Sequence, residues 1–254
     1  MTSISNGKGK LYVVGIGPGG KADRTHRAEK AIIESDAVVG YNRYLDNIAD
    51  LTEGKEMKAS GMTQEADRCQ TALELAAEGK TVAFVSSGDP GVYGMAGLAF
   101  EMAKKMESNV KIEVIPGISA ANTAAAKLGA PLMLDYAVIS LSDLLVPWEQ
   151  IVKRLDSVAS ADMVCVLYNP RSKKRVEQLN EAAAIFSKYR DGSTLVGVCT
   201  NISYEGEESI IISNLEKFLE EDIGMMTTVV IGSSNTENIE GWMVTPRGYA
   251  GKRF

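Results

Sequence analysis

A chain of 254 residues with 45% hydrophobic, 24% charged and 6% aromatic residues, 24 glycines and 7 prolines is long enough for one large α/β domain or two smaller ones, and its composition excludes disorder, collagen and a disulfide-dense scaffold. Its 33 acidic against 27 basic residues leave a net charge of −6, so non-specific nucleic-acid binding is disfavoured and an anionic ligand would need a local basic patch. No apolar run approaches the roughly 18 residues of a membrane span, and the opening MTSISNGKGK lacks the apolar core of a signal peptide, so a cytoplasmic protein is expected.

The first element is LYVVGIG at 11–17, apolar on both faces and therefore a buried parallel strand. Thr25 then caps a helix through HRAEKAIIES, with Ala28, Ala31, Ile32 and Ile33 facing inward. AVVGY at 37–41 is a second strand, and a helix over 65–78 stops at Gly79. A strand at 81–88, a helix over 95–106 and a strand at 111–117 continue the alternation, which predicts a largely parallel, doubly wound sheet. After a helix-like stretch at 119–129 come a strand at 137–142, a helix over 148–158, a strand at 163–169 and an amphipathic helix over 173–189. The strands TLVGVC, SIIIS and TTVVIG then follow too closely for intervening helices, which predicts a mixed sheet with antiparallel members. Two α/β domains are expected, 10–117 and 121–250, with the boundary near Pro116 to Ala120.

Two glycine-rich loops lie at expected C-terminal strand ends, where open α/β sheets bind ligands. Gly15-Ile16-Gly17-Pro18-Gly19-Gly20 satisfies G-x-G-x-x-G after a strand. A nicotinamide site would also need the loop to enter a helix at once and an acid ending the second strand. Here the helix starts near Thr25 and that strand ends in Tyr41-Asn42, so a nicotinamide oxidoreductase and a plain glycine turn both stay open as weaker readings. In Ser86-Ser87-Gly88-Asp89-Pro90-Gly91-Val92-Tyr93-Gly94, Pro90 restricts Asp89, and its carboxylate could fix a cationic group; the alternative is an Asp-Pro-Gly turn without a ligand. The single histidine, His26, early in a helix, reads as solvated or packed, with contact to a substrate or metal as the alternative. Cys69, Cys165 and Cys199 form neither a C-x-x-C pair nor a metal-ligand set, so reduced thiols and no metal site are expected.

These loops, with Pro116-Gly117-Ile118-Ser119-Ala120, Tyr168-Asn169-Pro170, Gly197-Val198, the strand from Thr227 and the ending Val244-Thr245-Pro246-Arg247-Gly248-Tyr249, resemble the tetrapyrrole (corrin/porphyrin) methylase family of S-adenosylmethionine-dependent enzymes. GYNRYLDNI, SSGDPGVYG, LYNPRSKKR and VTPRGY look most like its branch that methylates C17 of precorrin-3B in cobalamin biosynthesis. The resemblance implies two α/β domains, a homodimer, and a methyl donor bound folded between the domains against Pro18, Ser87, Gly88, Asp89, Val92, Ser119, Ala120, Asn169, Gly197 and Thr227. It implies a tetrapyrrole substrate, with or without cobalt, ring contraction, and S-adenosylhomocysteine as product. Tyr41-Asn42-Arg43 and Asn169 depart from the Tyr-Asp-Arg and Met of uroporphyrinogen methylases, which argues against that substrate while fitting the C17 branch.

Methyl transfer from a sulfonium needs no catalytic triad, because attack is in line and orientation in a desolvated site supplies much of the acceleration. No proton donor for ring contraction is identified; Asp89, Tyr93 and Tyr168 are the catalytic candidates. For the carboxylates of a tetrapyrrole the candidates are Arg171, Lys173, Lys174 and Arg175, with Arg43 and Arg247 secondary. Ser172 reads as an N-cap that would place three cations in the first helical turn, an unfavourable dipole arrangement that a docked anion would relieve; a solvated charge run is the alternative. The rival functions are a sibling methyltransferase acting on another precorrin position, or less plausibly on diphthine or ribosomal RNA, and a module that binds the donor without turnover.

Overall fold

Strand β1 (Lys10–Gly15) is apolar throughout because it lies inside a sheet covered on both faces. In the computed structural model, which describes residues 9–249, the chain divides into two compact units, the first ending at Ala120 and the second beginning at Ala121.

In the first unit, β1 leads to α1 (His26–Ile33), β2 (Ala37–Tyr41), α2 (Asn42–Asp46), β3 (Glu56–Ser60), α3 (Glu65–Ala77), β4 (Thr81–Ser86), α4 (Met95–Lys105) and β5 (Lys111–Ile115). The sheet order is β3-β2-β4-β1-β5, and every pairing is parallel. On one face Leu11, Val13, Val82 and Phe84 meet Ala72, Leu73 and Ala76 of α3 and Ala99 of α4. On the other, Val14, Val38, Ala83 and Val85 meet Ala28 and Ile32 of α1 and Leu45 of α2. The neighbouring strands β1 and β4 therefore send their following helices to opposite faces. That reversal opens a crevice beyond their C-terminal ends, the usual ligand position in an open α/β sheet.

From its second residue onward α5 (Ala120–Leu128) belongs to the second unit, which also contains β6 (Gly129–Ala130), β7 (Tyr136–Ser140), α6 (Trp148–Ser160), β8 (Val164–Tyr168), α7 (Glu177–Phe186), β9 (Leu195–Thr200), β10 (Ser209–Asn214), β11 (Thr227–Ile231), β12 (Glu237–Ile239) and β13 (Trp242–Val244). Its main sheet runs β10-β9-β11-β8-β7, antiparallel except for β7 with β8. Leu155 of α6 and Leu179 and Phe186 of α7 cover one face, and Ala124 and Leu128 of α5 the other. A small sheet, β12-β13-β6, completes the unit.

The expected parallel and mixed sheets are both present. Thr25 caps α1, its hydroxyl oxygen accepting the Ala28 N–H at 3.1 Å, and Gly79 follows α3 with φ +100°. Ile33, expected on the inner face, is 57% exposed. The helix expected over 173–189 spans only Glu177–Phe186. Ser172 is therefore no N-cap: its hydroxyl accepts the N–H groups of Lys174 and Arg175 at 3.3 and 3.1 Å within a loop. The cations precede the helix by at least one residue, and the expected dipole conflict does not arise.

Candidate functional site

The first unit's rim is built by three loops that follow β1, β4 and β5. Gly17 and Gly88 exchange backbone hydrogen bonds, Gly88 N–H to the Gly17 carbonyl at 2.7 Å and Gly17 N–H to the Gly88 carbonyl at 3.2 Å. A Cβ on Gly117 would stand 2.2 Å from the Gly88 carbonyl oxygen and 2.7 Å from the Gly15 carbonyl carbon. Three backbones thus touch where no side chain fits, and this closeness requires glycine.

Asp89 joins two of these loops. Its Oδ1 accepts the Gly91 N–H at 2.8 Å and its Oδ2 the Gly117 N–H at 3.1 Å. The carboxylate is half-buried, and two accepted bonds leave it further lone-pair capacity for a ligand donor. Ser87, Pro18 and Ser119 are half-buried on the same loops, as is Ala120 at the start of α5, while Val92 is exposed. Tyr93 is 56% exposed and holds φ +53°, a strained conformation for a bulky residue.

Below the first loop lies a latch that the sequence does not announce. The Arg24 guanidinium, almost fully buried, donates to both carboxylate oxygens of Asp50 at 2.8 Å, and Lys21 reaches Asp50 at 3.0 Å. The Arg24 bonds, with help from Lys21 and against the cost of burial, hold the Asp50 carboxyl well below the usual carboxylate range.

In the second unit, β8 and β11 are antiparallel with Val229 opposite Leu167, and continuing that register puts Thr227 level with Asn169. The Thr227 hydroxyl lies 2.8 Å from that of Thr200 and accepts the Gly224 N–H at 3.0 Å. Gly197 is level with Val230, three residues further into the sheet, about 10 Å from that rim. A Cβ there would come within 2.3 Å of Leu128 Cδ1, so helix–sheet packing accounts for this glycine. Tyr168 accepts the Ala121 N–H at 2.8 Å through its hydroxyl. Asn169 has φ +51°; its Nδ2 donates to the Ser140 hydroxyl at 3.0 Å, a partner with no sequence signal at a separation of 29 residues.

The basic run does not act as one patch. Lys173 and Lys174 are exposed. Arg171 is half-buried and reaches Asn180 Oδ1 at 3.4 Å. Arg175, expected to face substrate, is instead buried, and its Nε and terminal nitrogen donate to the Asn169 carbonyl at 3.2 and 2.9 Å. Arg43 lies on α2, just beyond the end of β2. Arg247 sits with its guanidinium carbon 5.9 Å from the Tyr249 ring centre, beside a cleft of about 290 Å³ lined also by Ala130, Met133, Val244 and Pro246. The His26 side chain is fully exposed. The three cysteines are free and buried, and burial pushes the Cys69 thiol up to about 11 and those of Cys165 and Cys199 up to about 12. Among the described residues no helix is long and apolar enough to cross a membrane.

Residues 10–219 match the sequence profile of the Tetrapyrrole (Corrin/Porphyrin) Methylases. The chain is 48% identical over 249 residues to "Cobalt-factor III methyltransferase" of Priestia megaterium, covering 96% of this chain and 46% of that protein. It thus spans about half the length of that relative. With "Probable cobalt-factor III C(17)-methyltransferase" of Salmonella typhimurium it shares 42% identity, covering 94% of this chain and 99% of that one. Among solved structures, that of the methyltransferase CobJ is similar, with a TM-score of 0.88, 36% identity and coverage of 94% of this chain and 100% of that chain.

Proposed function

The chain belongs to the tetrapyrrole (corrin/porphyrin) methylases, and from that premise we propose that it transfers a methyl group from S-adenosylmethionine to C17 of a precorrin-3-level tetrapyrrole, with contraction of the macrocycle, in cobalamin biosynthesis. The observation that carries this reading is the 42% identity, over nearly the full length of both chains, to a relative named "Probable cobalt-factor III C(17)-methyltransferase". The crevice between β1 and β4 supports it. Its glycine loops close on one another at the strand ends, and Asp89 is pinned by two amides with lone pairs to spare for the donor's ammonium or hydroxyl groups.

When bound, the donor supplies a methyl on a sulfonium whose positive charge is lost as the new bond forms. The chain's part is to hold and orient: Gly17 and Gly88 lock two loops, Asp89 fixes the third, and the Arg24–Asp50 latch anchors the first from below. Orientation of this kind contributes up to roughly 7–11 kcal/mol in well-aligned reactions. Lys173 and Lys174, exposed ahead of α7, and Arg247 at its cleft are the cations for the carboxylates of the macrocycle. A nicotinamide enzyme is disfavoured, since α1 starts at His26, too far past Gly20 for its N-terminus to hold a pyrophosphate on the glycine loop.

The same reading makes the protein cytoplasmic, in keeping with three free thiols, and a homodimer, as the family resemblance implies. The test is incubation with isotopically methyl-labelled S-adenosylmethionine and, separately, cobalt-factor III or precorrin-3B, with mass spectrometry of the product. A labelled methyl at C17 in either arm is expected and tells which form is used. No transfer in either arm, or tight binding of NAD with none of S-adenosylhomocysteine, would overturn the reading.

A further inference from the structure

Asn169 occupies a backbone conformation that two things oppose. Its φ of +51° lies in the left-handed region, and the next residue is Pro170, which pushes its predecessor towards extended geometry. Such a residue persists only where its surroundings over-determine it. One restraint is the side-chain bond to Ser140. The other is Arg175, whose two donors converge on the single carbonyl oxygen of Asn169. Arg175 is itself fixed by a closed loop, for Ser172 N–H donates to the Arg175 carbonyl at 2.9 Å while the Arg175 N–H returns to the Ser172 hydroxyl at 3.1 Å.

A buried arginine normally meets a carboxylate. Arg175 is only 8% exposed and, among the described residues, makes no ion pair within 4 Å; its side-chain hydrogen bonds go to that one carbonyl. A cation placed this way serves the strand end, and it is turned away from the exposed face that Lys173 and Lys174 present. We propose that Arg175 is a positioning residue for the methyl donor, acting through the Asn169 peptide at the end of β8, and that it makes no contact with the carboxylates of the tetrapyrrole. This rests on the methyltransferase reading above and on the family resemblance, which implies that Asn169 lies against the donor. A lysine cannot replace it, because an ammonium is a point charge without the planar fork that brings two donors to one oxygen.

Calorimetric titration of S-adenosylhomocysteine into the wild-type protein, Arg175→Met and Arg175→Lys, with steady-state KM values for donor and tetrapyrrole, tests this. Arg175→Met should weaken S-adenosylhomocysteine binding by about tenfold or more, as expected for losing charge-assisted bonds that hold a contact residue. The donor KM should rise in step and the tetrapyrrole KM stay within about twofold, a change smaller than the loss of one direct ionic contact would produce. Arg175→Lys should recover little of the loss. Unchanged binding in Arg175→Met, full rescue by lysine, or a rise confined to the tetrapyrrole KM would each overturn the proposal. If Arg175→Met does not fold, Arg175→Lys and Ser140→Ala, which removes the other restraint on Asn169, carry the same test. Wild-type protein that binds no S-adenosylhomocysteine would instead defeat the methyltransferase reading itself.

Discussion

Replacing Gly117 by alanine isolates the contact on which the first unit's rim depends. The new Cβ would lie 2.2 Å from the Gly88 carbonyl oxygen, and ordinary contact begins near 3.4 Å, so the two backbones must part by about 1.2 Å (3.4 − 2.2). Gly117 is not among the positive-φ residues, so steric overlap alone opposes the change. Separation on that scale breaks the 2.7 Å bond between Gly88 and Gly17 and the 3.1 Å bond from Gly117 to Asp89. The first is worth about 0.5–1.5 kcal/mol and the second, to a charged acceptor, about 1.5–3 kcal/mol. Reduced freedom of the unfolded chain returns about 0.4–1 kcal/mol, leaving a net loss of about 1–4 kcal/mol. Urea unfolding reads this as a lower midpoint at unchanged slope. Gly97→Ala is the internal control: the same atom is added inside α4 with nothing within 4 Å, and it should stabilise by about 0.5–1 kcal/mol. A Gly117→Ala midpoint equal to the wild type's would refute the crowding argument, and with it the claim that these glycines serve close backbone approach.

Tyr93→Gly removes a side chain from a left-handed residue, a relief of about 1–2 kcal/mol that offsets about 0.5–1 kcal/mol of glycine entropy and the loss of the side chain's own interactions, so stability should change by less than about 1 kcal/mol while the tetrapyrrole KM increases; marked destabilisation in urea would show the ring to be structural. Asp50 titrates below its ordinary range when folded, so its latch is complete above about pH 4 and weakens as the pH falls from there. Asp50→Asn should therefore cost about 1–2 kcal/mol at pH 7, discounted because Asp50 is over a third exposed, and the gap to wild type should shrink near pH 3; an equal gap at both pH values would contradict the ion pair. Lys173→Ser with Lys174→Ser should raise the tetrapyrrole KM and leave S-adenosylhomocysteine binding alone, and a null effect on both would return these lysines to the solvated surface. The buried thiols should react with an aromatic disulfide only as the protein unfolds; rapid labelling of one cysteine in the native state would count against their burial.

Elements with a long buried face could be read from sequence, whereas an exposed edge strand and the shortest elements could not. The apolar runs of β1 and β4 and the capped, amphipathic α1 are places where local propensity and tertiary burial agree. The strand β3, EMKAS, is an edge strand whose middle residues are exposed. It carries neither an apolar run nor alternation, and parallel pairing with β2 alone makes it a strand. The five-residue α2 is shorter than any window in which a 3.6-residue period can be seen, and β6, β12 and β13 are too short for a period of two.

The site divides the same way, and Arg175 shows why. Its neighbours Lys173 and Lys174 have the same charge and all but the same position in the chain, so the sequence reads one basic patch at a helix start. What separates them is the loop: Ser172 closes a turn on Arg175, the helix waits until Glu177, and the third cation turns inward to a carbonyl freed from the sheet by a left-handed asparagine. Gly197 makes the complementary point. It stands in a string that matches the family, yet Leu128 occupies the space its side chain would need, so a motif position can be fixed by packing alone. Asp89 lies between these cases. Two amides hold its carboxylate in one posture, and an acid restrained by its own loops is better suited to receive a ligand than one that must be ordered on binding, because the entropic cost has been met in folding.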